Sequence, residues 1–146
     1  MDAEFFEGLF NGFNNENNIN LISPLVLAYV GDAVYEAYIR TRIASEGNAP
    51  VHILHKRSIK YVKAKAQSDI VHGIMGNLSF EEQEVVRRGR NAKSGTIPKN
   101  ADVTEYKYAT GFESLIGYLY FKKDFKRLME ILAMAVSIIK NQESGT

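Results

Sequence analysis

Residues 27–40 read LAYVGDAVYEAYIR, and the reading of this stretch decides the fold. Between Leu25 and Ile39 the only charged side chains are Asp32 and Glu36. A helix that is apolar nearly all round is a buried helix. A carboxylate buried there without a partner costs several kcal/mol or gives up its charge. Asp32 therefore needs something that compensates it. Gly31, beside it, lowers helix propensity and points to the close approach of another backbone at that spot.

Helix punctuation extends outward from this stretch. Ser23-Pro24 supplies a capping hydroxyl and a proline at the first helical position, so the helix starts there. It runs to about Ser45, where EGNAP ends it. Upstream, residues 2–13 predict a short helix carrying Phe5, Phe6, Leu9, Phe10 and Phe13, followed by the polar connector NNENN. Downstream, the spacing of Ile59, Val62, Ala66 and Ile70 predicts one helix over 51–75, with Lys56, Lys60 and Lys63 on a separate stripe. Ser79 and Glu82 form a capping-box pattern that starts a helix to about Arg88. RGRNAKSGTIPKNAD reads as a long loop of the kind that usually has a task. A helix from Val103 to Phe121 follows. Asp124 caps the last helix, to about Lys140, with Leu128, Ile131, Leu132, Ala135 and Ile139 on one side. No strand pattern or internal repeat stands out. The 146 residues, 45% of them hydrophobic, predict one all-α helical domain with a real core.

The helix over 103–121 repeats the puzzle of Asp32. From Tyr108 to Phe121, YATGFESLIGYLYF carries one charge, Glu113, with Thr110 and Gly117 about a turn either side on the same face. Two acids on two central helices are open to two readings. Each binds an arginine or caps a neighbour, as in a structural ion pair. Alternatively the helices cross and the carboxylates converge on a divalent cation. Mg²⁺ suits the second reading, because it takes carboxylate oxygen and water, needs few protein ligands and binds phosphate at the same time.

The charge pattern bears on that choice. There are 18 Lys and Arg against 17 Asp and Glu, a net charge of +1. Yet six acids precede the first basic residue, Arg40, and ten of the basic residues lie in two acid-free blocks, Gly47–Ser68 and Val85–Ala101. Such segregation presents a basic face to a polyanion, or else marks two solvated helix faces. In the second block Arg87, Arg88, Arg90 and Lys93 are candidate phosphate contacts. Their other reading is a helix end where basic residues offset the dipole. Buried acids beside a basic face suggest metal-assisted hydrolysis of a nucleic acid. His52 and His55 lack a third ligand motif and read as solvated or packing residues. Tyrosines 29, 35, 38, 106, 108, 118 and 120 recur at helical spacing, which favours core over base stacking. The absence of cysteine excludes disulfides and thiolate metal sites and fits a reducing cytoplasm. No signal peptide or membrane span is visible in the sequence.

LAYVGDAVYEAYIR resembles the signature helix of ribonuclease III catalytic domains, where a Gly-Asp pair lies in an apolar helix. FESLIG, residues 112–117, resembles the second acidic motif of that family. RRGRNAKS and the run PKNADVTEYKYATGFESLIGYLY are similar to the short branch called Mini-ribonuclease III, which lacks a double-stranded-RNA-binding domain. The resemblance covers about residues 20–140. It implies a ribonuclease III-like bundle, a Mg²⁺ cofactor with Mn²⁺ as the alternative ion, and Asp32 and Glu113 as catalytic metal ligands. It further implies cleavage of double-stranded RNA to 5′-phosphate and 3′-hydroxyl ends, a homodimer with one site per subunit, and maturation of the large-subunit (23S) ribosomal RNA precursor. Without an RNA-binding domain, substrate choice rests on this domain or on a helper such as a ribosomal protein. Two positions depart from full-length ribonucleases III: Ala28 and Thr110 stand where that branch has acids, as in Mini-ribonuclease III. More of the metal shell is then water or RNA phosphate. Glu36 shares a face with Asp32, but the motif assigns it no metal role. A non-catalytic RNA- or ribosome-binding homodimer with a degenerate metal site is the alternative function.

Overall fold

The computed structural model describes residues 3–10, 19–93 and 96–144. Helix α1 spans Ala3–Leu9, α2 Pro24–Ser45, α3 Val51–Val62, α4 Ala64–Ile74, α5 Phe80–Asn91, α6 Val103–Phe121 and α7 Phe125–Ser144. Short 3₁₀ turns at Ile19–Leu21 and Met75–Asn77 lead into α2 and α5. No strand occurs among the described residues, as the pattern predicts. The NNENN connector, Phe13, the Phe6 side chain, and Ser94 and Gly95 of the long loop lie outside the described residues.

Local chemistry sets the helix starts. Ser23 Oγ accepts from the Val26 amide at 3.3 Å and opens α2. Ser79 and Glu82 form both hydrogen bonds of the capping box and open α5. Asp102 accepts from the Glu105 amide at 3.0 Å and opens α6, and Asp124 accepts from the Arg127 amide at 3.2 Å to open α7. Leu128, Ile131, Leu132, Ala135 and Ile139 face inward from α7, as their spacing requires.

The helix expected over 51–75 is two helices. Lys63 takes an extended conformation (φ −63°, ψ 155°) between α3 and α4. No Gly or Pro causes this break. Buried positions fall at Ser58 and Tyr61 and resume at Ala66, whereas an unbroken helix would turn Lys65 inward. The break shifts the phase so that Lys65 stays at the surface, paired with Asp69 at 3.0 Å. Side chains satisfy the carbonyls at the break. The Tyr35 hydroxyl donates to the Tyr61 carbonyl at 2.8 Å, and the Gln67 amide donates to the Val62 carbonyl at 2.9 Å.

Helix α6 runs through the centre. From Ala109 to Leu119 every residue except Glu113 is buried, and α2, α4 and α5 pack around it. Glycines let two of these neighbours come unusually close. A Cβ on Gly31 of α2 would lie 1.8 Å from the Glu113 carbonyl oxygen, and one on Gly117 of α6 would lie 1.9 Å from the Leu27 carbonyl oxygen. A Cβ on Gly111 of α6 would lie 2.8 Å from the Val86 carbonyl oxygen of α5. Only backbone fits at these crossings. Between them Ser114 Oγ sits 2.9 Å from the Pro24 carbonyl of α2 and 2.9 Å from that of Thr110.

Candidate active site

The contact of Gly31 with the Glu113 peptide builds the site. It brings the residue after Gly31, Asp32, to the side chain of Glu113, and the two carboxyl groups come within hydrogen-bonding range. Glu113 is half-buried, and its carboxyl is pushed up to about 9. Loss of hydration is the largest cause, followed by the hydrogen bond and charge of Asp32, with a smaller push from Glu36. Glu36 itself turns to Arg40 at 3.2 Å.

Asp32 departs from expectation in its surroundings. It is exposed, because α2 buries a single stripe: Leu27, Ala28, Gly31, Tyr35, Ile39 and Ile43. The opposite side is apolar yet open, with Val26 at 50% and Tyr29 at 80% exposure. Apolar composition all round this helix thus does not mean burial within one chain. Tyr29 is an exception among the tyrosines, whereas Tyr35 and Tyr118 are core as their spacing predicts.

The donor set fits a hard divalent cation. Two carboxyl groups meet, and lost hydration at Glu113, reinforced by repulsion from Asp32, keeps Glu113 protonated near neutral pH. A dication removes that repulsion, and the open side at Asp32 leaves room for water and a phosphate oxygen. Ala28 and Thr110 are buried next to the pair and bring no carboxylate; the Thr110 hydroxyl donates to the Tyr106 carbonyl at 3.0 Å. Among the described residues no group of three His, Cys, Asp or Glu side chains gathers to hold a metal. His52 and His55 both face solvent.

The four basic candidates at the end of α5 are differently placed. Arg87 closes a two-pronged pair with Glu84 at 3.0 and 2.7 Å, so its charge is offset within its own helix. Glu84 lies one residue before the acid-free block. Arg88 and Lys93 are exposed. Arg90 is half-buried and braced: it donates to the Tyr108 hydroxyl at 3.1 Å, and its guanidinium lies 5.4 Å from that ring's centroid. His72 packs against the same ring at a tilt of 49°, with the centroids 4.2 Å apart. Gln67 is a neighbour of Glu113 that motif reading passes over. Its one signal in the sequence is an amide set between Ala66 and Ile70 on an otherwise apolar stripe.

Residues 25–124, which hold both acids and the basic helix end, match the Ribonuclease III domain. The chain belongs to the ribonuclease III family. It is 56% identical over 119 residues to a Mini-ribonuclease 3 of Thermoanaerobacter sp. (strain X514), covering 82% of this chain and 84% of that one. It is 47% identical over 131 residues to a Mini-ribonuclease 3 of Clostridium tetani (strain Massachusetts / E88), covering 89% and 87%. A crystal structure of a Fusobacterium nucleatum protein superposes with a TM-score of 0.75 at 32% identity, covering 84% of this chain and 98% of the other. The all-α bundle is therefore the ribonuclease III fold of the Mini-ribonuclease III branch, and the chain is an endoribonuclease for double-stranded RNA. No helix among the described residues is long and apolar enough to cross a membrane.

Proposed function

We propose that Asp32 and Glu113 hold Mg²⁺, or Mn²⁺ in its place, and that this site hydrolyses duplex RNA within a homodimer during maturation of the large-subunit (23S) ribosomal RNA precursor in the cytoplasm. The observation that carries the reading is the Gly31–Glu113 contact, which sets two acids from distant sequence side by side. When bound, the ion supplies Lewis acidity toward the phosphate and lowers the pKa of water. The protein's part is to fix the pair. Backbone contact between α2 and α6 holds the carboxyls in register, and Ser114 ties the start of α2 to α6. Asp32 lies open to solvent, on the side from which a phosphate can approach. Arg88, Lys93 and the braced Arg90 supply cations for the RNA backbone, with Arg87 released to it by opening its pair with Glu84.

The open apolar side of α2 supports the dimer. Val26 and Tyr29, three residues apart on one face, and Leu21 just before the helix are 50%, 80% and 80% exposed. Self-association about a two-fold axis covers them and brings two sites into one particle. The decisive test is cleavage of duplex RNA with Mg²⁺ against EDTA, with the ends of the products mapped. Metal-dependent cuts leaving 5′-phosphates, lost in Asp32→Asn, are expected. Equal cleavage in EDTA would overturn the reading.

A further inference from the structure

Resting on the reading of Arg90 as an RNA-backbone contact, we propose that Tyr108 is its positioning residue: the phenol holds the Arg90 guanidinium in one pose, ready for a phosphate. The main chain sets the place. A Cβ on Gly89 would lie 2.8 Å from Ser114 Cβ and 2.9 Å from Gly111 Cα, and one on Gly111 would lie 3.5 Å from the Arg90 amide nitrogen. Helix α5 therefore rests on α6 where Arg90 leaves it. Tyr108 precedes Glu113 by five positions on α6, about 7.5 Å along the helix axis.

The side chains set the pose. Arg90 donates through Nη1 to the Tyr108 hydroxyl and through Nε to Asn91 Oδ1, each at 3.1 Å. Both acceptors are neutral, and among the described residues no carboxylate pairs with Arg90. Arg87 differs, being matched by Glu84, and so does Arg127, matched by Glu82 and Glu130. Nor does Arg90 cap α5, since its hydrogen bonds go to side chains rather than to the terminal carbonyls. Three of its five N–H groups stay open, two on Nη2 and one on Nη1, with the full charge kept for an anion. Tyr108 is itself held. The His72 ring lies against it, and His72 Nδ1 donates to the Ser68 carbonyl at 2.7 Å, which ties the imidazole to α4. Among the described residues the hydrogen bond from Arg90 is the one the Tyr108 hydroxyl makes, so phenylalanine would pack equally well and lose only that contact. Ordering a long side chain opposes binding, and a guanidinium ordered before RNA arrives has already met that cost.

The test is a double-mutant cycle on the full chain: wild type, Tyr108→Phe, Arg90→Ala and the two together. Each is titrated with duplex RNA in EDTA over a range of salt concentrations, with thermal melts alongside. Tyr108→Phe is expected to melt as wild type does and to bind the duplex about two- to tenfold more weakly. It should keep the wild-type slope of log affinity against log salt, because every charge is still present. Arg90→Ala is expected to lower that slope by about one unit, and adding Tyr108→Phe to it should weaken binding no further. Wild-type affinity in Tyr108→Phe, or the same loss from it with and without Arg90, would overturn the inference, since the tyrosine would then only join α4, α5 and α6. So would a Tyr108→Phe chain that fails to fold or melts well below wild type. Wild-type affinity and slope in Arg90→Ala would instead overturn the reading of Arg90 as an RNA contact, on which the inference rests.

Discussion

At Glu113 the physics of one carboxyl group connects stability to chemistry. Its ordinary value is 4.5, and in the fold it is pushed up to about 9 by lost hydration and by Asp32. Between those values the folded chain holds a proton that the unfolded chain has released, so stability falls as pH rises across the window. In EDTA, Glu113→Gln should therefore melt higher than wild type, by a margin that widens as pH climbs from 4.5 toward 9. Added Mg²⁺ should raise the wild-type melting temperature and leave the variant's unchanged. Asp32→Asn should bind duplex RNA without cutting it. A structural ion pair predicts the reverse, a loss of about 3–5 kcal/mol from either change, and thermal melts with and without metal separate the two. Gly31 acts at the same scale by what it lacks. Gly31→Ala would set a methyl 1.8 Å from the Glu113 carbonyl oxygen, and overpacking of this kind costs at least about 1–3 kcal/mol. A lowered melting temperature together with weakened cleavage is the expected result.

Among the elements, the helix starts were legible in the sequence and the break at Lys63 was not. Ser23, Ser79 with Glu82, Asp102 and Asp124 act on amides three residues away, so local chemistry suffices. The break depends on Tyr35 reaching the Tyr61 carbonyl across 26 positions, which no local pattern records. The two acids were legible through their apolar setting, but the exposure of Asp32 was not, because an outer apolar face reads like an inner one. The charges show the same division. Glu82 is buried and meets Arg127 at 2.8 and 2.9 Å, tying the start of α5 to α7. The Arg127 hydrogen bond is the main cause that holds the Glu82 carboxyl below its ordinary 4.5. The folded chain there binds fewer protons than the unfolded, so this stabilisation is present above pH 4.5 and is lost as pH falls through the lowered value. Glu82→Gln should lose stability at neutral pH, and the difference from wild type should close in acid. At the far end of α5, Arg88→Ala with Arg90→Ala should weaken duplex binding and flatten its dependence on salt by about one unit of slope per contact. An unchanged slope would remove this helix end from the RNA surface.

For the molecule as a whole, the open face of α2 predicts assembly. Light scattering should report twice the 16.4 kDa chain mass, and Tyr29→Glu, which puts a charge on a residue 80% exposed in the single chain, should shift it to the chain mass. The variant's helical circular dichroism should persist, since Tyr29 contributes nothing to the core of one chain. The glycine crossings have a different consequence. The spacing of the acid pair is gauged by main chain resting on main chain, with no side chain between that could be enlarged, trimmed or repacked. Thermal resilience and catalytic competence are then separately heritable traits. Ile131→Val, deep in α7, should cost about 0.5–1.5 kcal/mol and leave the turnover rate untouched, because nothing it loosens sets the distance from Asp32 to Glu113. Lineages of this enzyme can drift in their interiors, or be rebuilt for heat, while the cutting geometry is inherited intact.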